Sequence, residues 1–302
     1  MNPKRNINYG TTQTPNNRAP YAKKVIAISS GKGGVGKSTT SNFIAYELAL
    51  KKYRVLLIDW DSQASQTNSF FGLKDVDYTG DNQSNIVNMF NGKSVKPLKI
   101  SDGINKASFD FIPSNEELLE TIEGDALNYK GKLLVLTDYI KTVEKNYDYI
   151  LIDCPPSFGI LTKSALLVAD VLLVPIATKS VDEDGIKRFF QKSNSLYANY
   201  ANMLKSIFVL PTLYDSRMNN AKEMLTIIRL LPRYLENGNL DFFKNTPVEV
   251  LEAIPYKVEI LEAPAQRMFL REYVETYIAS NQSKSINAII TILESITAKI
   301  IK

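Results

Sequence analysis

The chain has 302 residues, 44% of them apolar, and a formal net charge of +4, which suits one large α/β domain or such a domain with a helical extension. Its single cysteine, Cys154, excludes an internal disulfide and makes a reducing cytoplasm the expected compartment, while the absence of histidine removes His-based triads and most zinc sites. No apolar run approaches the roughly 18 residues of a membrane span, and no signal-like block opens the chain, so no membrane association is expected.

Residues 1–22 are rich in Asn, Thr, Pro and Arg and poor in large apolar groups, and read as a flexible basic arm. Residues 23–302 read as a single domain. From Val25 onward, short apolar runs alternate with longer amphipathic ones. Residues 25–29, 55–59, 109–113, 149–153, 171–176 and 207–211 predict strands buried on both faces. The expected fold class is therefore α/β, a mostly parallel twisted sheet with helices on both faces.

Between the first strand and a helix beginning near Ser38 lies Gly31-Lys-Gly-Gly-Val-Gly-Lys-Ser38, which fits the phosphate-cradling spacing G-x-x-x-x-G-K-[ST]. Its glycines let backbone N–H groups turn inward around phosphate oxygens, and the helix start adds a positive dipole end. Lys37 is placed to reach the β- and γ-phosphates, and the Ser38 hydroxyl to ligate Mg²⁺. Lys32, a second lysine five residues earlier, cannot easily aim at the same phosphates and is expected to point outward, towards a nucleotide held by a second subunit.

The second strand ends in Asp59-Trp60-Asp61 and the fourth in Asp153-Cys154-Pro155-Pro156. Carboxylates at the carboxyl ends of parallel strands project into the crevice that holds the phosphate loop. Asp153 is the expected partner of Ser38 on the metal, Asp59 its outer shell, and Asp61 the group that orients or deprotonates the attacking water. Residues 74–106 read as a polar insertion at the sheet's edge, and Ser114-Asn-Glu-Glu117 as a capping box opening a helix. Ile286, Ile289, Ile290, Leu293, Ile296 and Ile300 form one helical stripe, expected to pack on the core rather than lie on a membrane. Charge is uneven: residues 1–24 carry +5, residues 25–186 carry −5 and residues 187–302 carry +4, which points to a polyanion docking on the carboxy-terminal portion.

Lys32-Gly33-Gly34-Val35-Gly36-Lys37-Ser38-Thr39 resembles the deviant Walker A motif of the ParA/MinD family of P-loop NTPases. Asp59-x-Asp61-x-Gln63 is similar to its A′ motif and Asp153-x-Pro155-Pro156 to its Walker B. Residues 254–264 are similar to a segment of ParA partition ATPases that begins Ile-Pro and ends Glu-Ala-Pro. The resemblance spans residues 25 to about 270 and implies an ATP- and Mg²⁺-dependent homodimer in which Lys32 contacts the partner's ATP. It also implies sequence-independent binding to double-stranded DNA on the nucleoid, and hydrolysis stimulated by a centromere-binding ParB-type or ribbon-helix-helix partner. Adenine contacts are implied near Pro211, Pro255 and Tyr256.

Two positions depart from the family pattern. Glu259 stands where a DNA-binding arginine is common, so the implied DNA surface falls to Arg217, which matches a family arginine, and to Lys257, Arg267 and Arg271. Lys179 stands where the family commonly has Glu. The stretch before Val25 is too short for a helix-turn-helix domain, which argues against operator-specific repression. Plasmid segregation is the leading expectation, and a MinD-like membrane-associated regulator the alternative. Nitrogenase iron-protein relatives need paired cysteines, and capsule-type tyrosine kinases a tyrosine-rich tail; the chain offers neither.

Overall fold

Strands made only of Val, Ile and Leu have no polar face to give to water, so helices must cover them on both sides. The computed structural model, which describes residues 24–72, 84–102, 104–115, 129–179, 182–200, 204–238, 240–277 and 284–302, meets that demand. Its elements in chain order are β1 (Lys24–Ile28), α1 (Lys37–Leu50), β2 (Val55–Asp59), α2 (Val87–Phe90), β3 (Leu98–Ser101), β4 (Ser108–Ile112), α3 (Tyr129–Val143) and β5 (Tyr149–Asp153). They continue with α4 (Ile160–Val168), β6 (Val171–Ala177), α5 (Glu183–Asn199), β7 (Ser206–Thr212), α6 (Asn219–Asn237), β8 (Val248–Val250), α7 (Val258–Ala265), α8 (Leu270–Tyr277) and α9 (Lys284–Ile300).

The eight strands form one sheet in the order β3-β4-β2-β5-β1-β6-β7-β8, parallel throughout except for the edge strand β3. Side chains alternate across it. Ile26, Ile28, Leu57, Leu151 and Leu173 meet α1, α8 and α9 on one face, while Ala27, Leu56, Ile58, Ile152 and Leu172 meet α3 to α6 on the other. The isoleucine stripe of α9 belongs to the first core, with every one of its six residues buried. The apolar face that a membrane-lying helix would need is thus already covered, and among the described residues no helix is long and apolar enough to cross a membrane.

The described part of the region read as a polar insertion contributes the edge strand β3, whose Leu98 and Ile100 turn inward and whose Lys99 and Ser101 turn out; residues 74–83 and 103 lie outside the described residues. The basic arm and residues 116–128, where the capping box would start its helix, lie outside the described residues. One consequence of the strand order matters for the site. β5 sits between β1 and β2, with Asp153 in register beside both Ile28 and Asp59, so the loop after β1 and both carboxylate-bearing strand ends open into one crevice.

Candidate nucleotide-binding site

The phosphate loop turns twice through left-handed backbone, at Gly34 (φ 69°) and at Gly36 (φ 84°), which caps α1. A Cβ at either would meet no atom within 4 Å, so glycine is required there by conformation rather than by space. Lys37 follows at the first position of α1 and is buried, with Nζ donating to the Lys32 carbonyl at 2.9 Å. Burial lowers its pKa, and Asp153 and Asp61 oppose that shift. Beside the loop is a cavity of about 470 Å³. Gly33, Gly34, Gly36, Lys37, Ser38 and Thr39 line one end, and Leu213, Ile254, Pro255, Ile260 and Leu261 line another part. Cationic and polar groups on one side and apolar groups on the other suit the triphosphate and the base of a nucleotide.

The carboxylates divide by what they touch. Asp153 is buried, and its pKa is pushed up to about 6 by burial while Ser38 and Gln66 hold it down. Its Oδ2 accepts from Gln66 Nε2 at 2.9 Å. Oδ1 is buried without a partner of good hydrogen-bond geometry, and the Ser38 hydroxyl stands beside the carboxylate. A carboxylate oxygen left over next to a hydroxyl is a donor set that fits a hard divalent cation such as Mg²⁺. Asp61 lines the cavity with Gln63 and Ser65, and its Oδ1 accepts from the Gln63 N–H at 3.0 Å. Burial raises its pKa, against the pull of the Gln63 N–H and of Lys37. Asp59, expected in the metal's outer shell, lies in register beside Asp153. Its Oδ2 accepts from the Thr67 N–H at 3.0 Å and hydroxyl at 2.7 Å, Oδ1 faces the Asp61 N–H at 3.4 Å, and like Asp153 it does not line the cavity. Burial, then Asp153, pushes its pKa up to about 8. Asp59 holds the loop that carries Asp61.

A family model described as an AAA domain matches residues 23–206, more than half of the chain. With relatives named ParA and Soj beside that match, the chain belongs to the ParA/MinD family of P-loop NTPases. It is 29% identical over 248 residues to the chromosome partitioning protein ParA of Myxococcus xanthus, an alignment covering 80% of this chain and 78% of that protein. Among solved structures it is similar to a plasmid partition protein of Borrelia burgdorferi bound to AMPPNP, at 25% identity, TM-score 0.61, and coverage of 83% of this chain and 96% of that one. Cobyrinic acid a,c-diamide synthase of Mycobacterium smegmatis, solved with ADP and magnesium, is 25% identical with TM-score 0.62, covering 83% of this chain and 93% of that one.

Within this ParA-like frame the remaining expected residues fall in several places. Val35 is buried and supports the loop from behind, its carbonyl accepting from the Thr212 hydroxyl at 2.8 Å. Lys32 does not line the cavity; its half-exposed ammonium lies 3.2 Å from Asp182, the N-cap of α5. Pro255 lines the cavity, but Tyr256 does not: its ring is covered by Lys179, 3.8 Å from the centroid. Lys257 lines the cavity's rim, Arg267 is exposed, and Arg217 is exposed while paired with Asp215 at 2.7 Å. Arg271, expected on the DNA surface, is partly buried and bonded to Glu47 of α1 at 2.9 and 3.0 Å and to Glu294 of α9. Gln66, Thr67, Ser41 and Thr212 went unread. Ser41, Gln66 and Thr67 sit in polar runs and Thr212 at a strand end, and only the fold brings them to the carboxylates or the phosphate loop.

Proposed function

We propose that the chain is a ParA-type ATPase that segregates DNA, with a plasmid as the cargo. ATP with Mg²⁺ occupies the cavity, Lys37 meets the β- and γ-phosphates, Ser38 and Asp153 hold the cation, and Asp61 orients or deprotonates the attacking water. The cation supplies charge neutralisation for the phosphate oxygens. The observation that carries this reading is the convergence of Lys37, Ser38 and Asp61 on one cavity, from two different strand ends.

Two copies close face to face over their nucleotides, with Lys32 reaching the partner's ATP; its ammonium outside its own cavity supports that role. The closed dimer presents Arg217, Arg267 and the rim residue Lys257 to DNA phosphates. Arg271 is left out because its guanidinium is committed to Glu47 and Glu294. A ParB-type or ribbon-helix-helix protein on the centromere stimulates hydrolysis, which opens the dimer and releases it from the nucleoid. The names of the similar partition proteins support this reading. DNA retention measured with ATP, with ADP and without nucleotide is expected to be strong with ATP alone and to weaken steeply with salt. Equal retention in all three states defeats the proposal.

A further inference from the structure

We infer that Gln66 is the positioning residue that presents Asp153 to the cation, an assignment resting on the nucleotide site proposed above. Gln66 lies five residues beyond Asp61, at the start of a wide helical turn, Gln66–Phe70, and is wholly buried. Its Nε2 donates to Asp153 Oδ2 at 2.9 Å and to Ser41 Oγ at 2.6 Å. Chemistry fixes the amide's orientation. A carboxylate accepts, and the Ser41 hydroxyl already donates to the Ser38 carbonyl at 2.9 Å, so its oxygen is left to accept as well. The chain of bonds runs from Ser38 through Ser41 and Gln66 to Asp153, and ties the first turn of the phosphate-loop helix to the carboxylate at the end of β5.

Two acceptors remain unpaired in this chain, Gln66 Oε1 and Asp153 Oδ1, both buried. Buried acceptors are ordinarily satisfied, and two orphans on side chains bonded to each other mark a place where donors belong. A hydrated divalent cation beside Ser38 presents outward O–H groups, because Mg²⁺ keeps several of its waters. Gln66 would therefore act twice: it holds Oδ2 and leaves Oδ1 for the cation, and its own oxygen would be left to accept from the cation's waters.

A merely structural Gln66 would affect nucleotide binding with and without metal alike, which the test separates. The readout is the emission of a fluorescent analogue, since the indole of Trp60 is buried in the opposite core, donating to the Leu161 carbonyl and to Ser164 Oγ. Mg²⁺ is titrated into the full-length protein saturated with a non-hydrolysable ATP analogue. Gln66→Met keeps length and burial and removes both polar ends; its half-saturating Mg²⁺ is expected to rise about tenfold or more, with analogue affinity in EDTA unchanged. An unchanged Mg²⁺ midpoint, or an equal loss of analogue affinity in EDTA, overturns the assignment. Should that variant fail to fold, Ser41→Ala, which removes one anchor of the amide, is expected to shift the midpoint the same way by less; no shift overturns the assignment. Wild-type protein that binds the analogue with no response to Mg²⁺ overturns the nucleotide-site reading along with it, whereas a normal wild-type response beside an unshifted variant overturns the role of Gln66 alone.

Discussion

Asp61 and Asp153 lie at or just past the ends of neighbouring strands, and their different surroundings suit the different work proposed for them. Asp153 is sealed in and bonded on one oxygen, which suits a fixed ligand; Asp61 lines the cavity and takes only the Gln63 N–H and the field of Lys37. A carboxyl raised by burial and lining the cavity is suited to take a proton from a bound water. Asp61→Ala is expected to slow hydrolysis by about 10²–10⁴-fold, a usual share for one acid–base group, while leaving ATP bound and the protein held on DNA. Single-turnover hydrolysis beside DNA retention reads both, and wild-type turnover would remove the assignment. The positions of both aspartates were legible because Asp153 directly follows an apolar run that had to be a central strand and Asp61 lies two residues past the end of another. The engagement of Asp59 by Thr67 was not, since a wide turn, rather than any local periodicity, brings Thr67 back onto the strand end it left.

At the scale of elements, uninterrupted Val/Ile/Leu runs marked β1, β2, β5, β6 and β7 to within a residue or so at most ends, because burial on both faces leaves no room for polar letters. The edges were harder to see. β3 shows four residues of alternation inside a polar stretch and β8 only three residues, too few to stand out, and both join the sheet by pairing rather than by their own pattern. Arg271 shows the same limit. In sequence it is a basic residue near a segment expected to bind DNA, but α8 and α9 pack on the α1 face of the sheet and bring it to Glu47, which is almost wholly buried. Removing one partner of a buried pair leaves the other charge uncompensated, typically at about 3–5 kcal/mol. Arg271→Ala is accordingly expected to lower the thermal midpoint markedly, with DNA retention unchanged in the fraction that stays folded. An unaltered midpoint with lost DNA binding would return Arg271 to the DNA surface.

At the scale of the whole molecule, the proposed function has the two loop lysines separate binding from assembly. Lys37 is buried within the phosphate loop, bonded to its carbonyl, and faces the cavity of its own chain. Lys32 is half-exposed and held by Asp182, an exposed ion pair of the kind worth about 0–1 kcal/mol, so exchanging that carboxylate for a phosphate across a dimer interface costs little. Lys37→Ala is expected to lose nucleotide binding and dimer together. Lys32→Ala is expected to bind one ATP per chain with near wild-type affinity and yet remain monomeric, even where Asp61→Ala blocks hydrolysis in the same chain. Equilibrium dialysis gives the first quantity and light scattering after gel filtration the second. A Lys32→Ala protein that dimerises normally with ATP would mean that this lysine serves only its own subunit, and the face-to-face arrangement would then have to be built on other contacts.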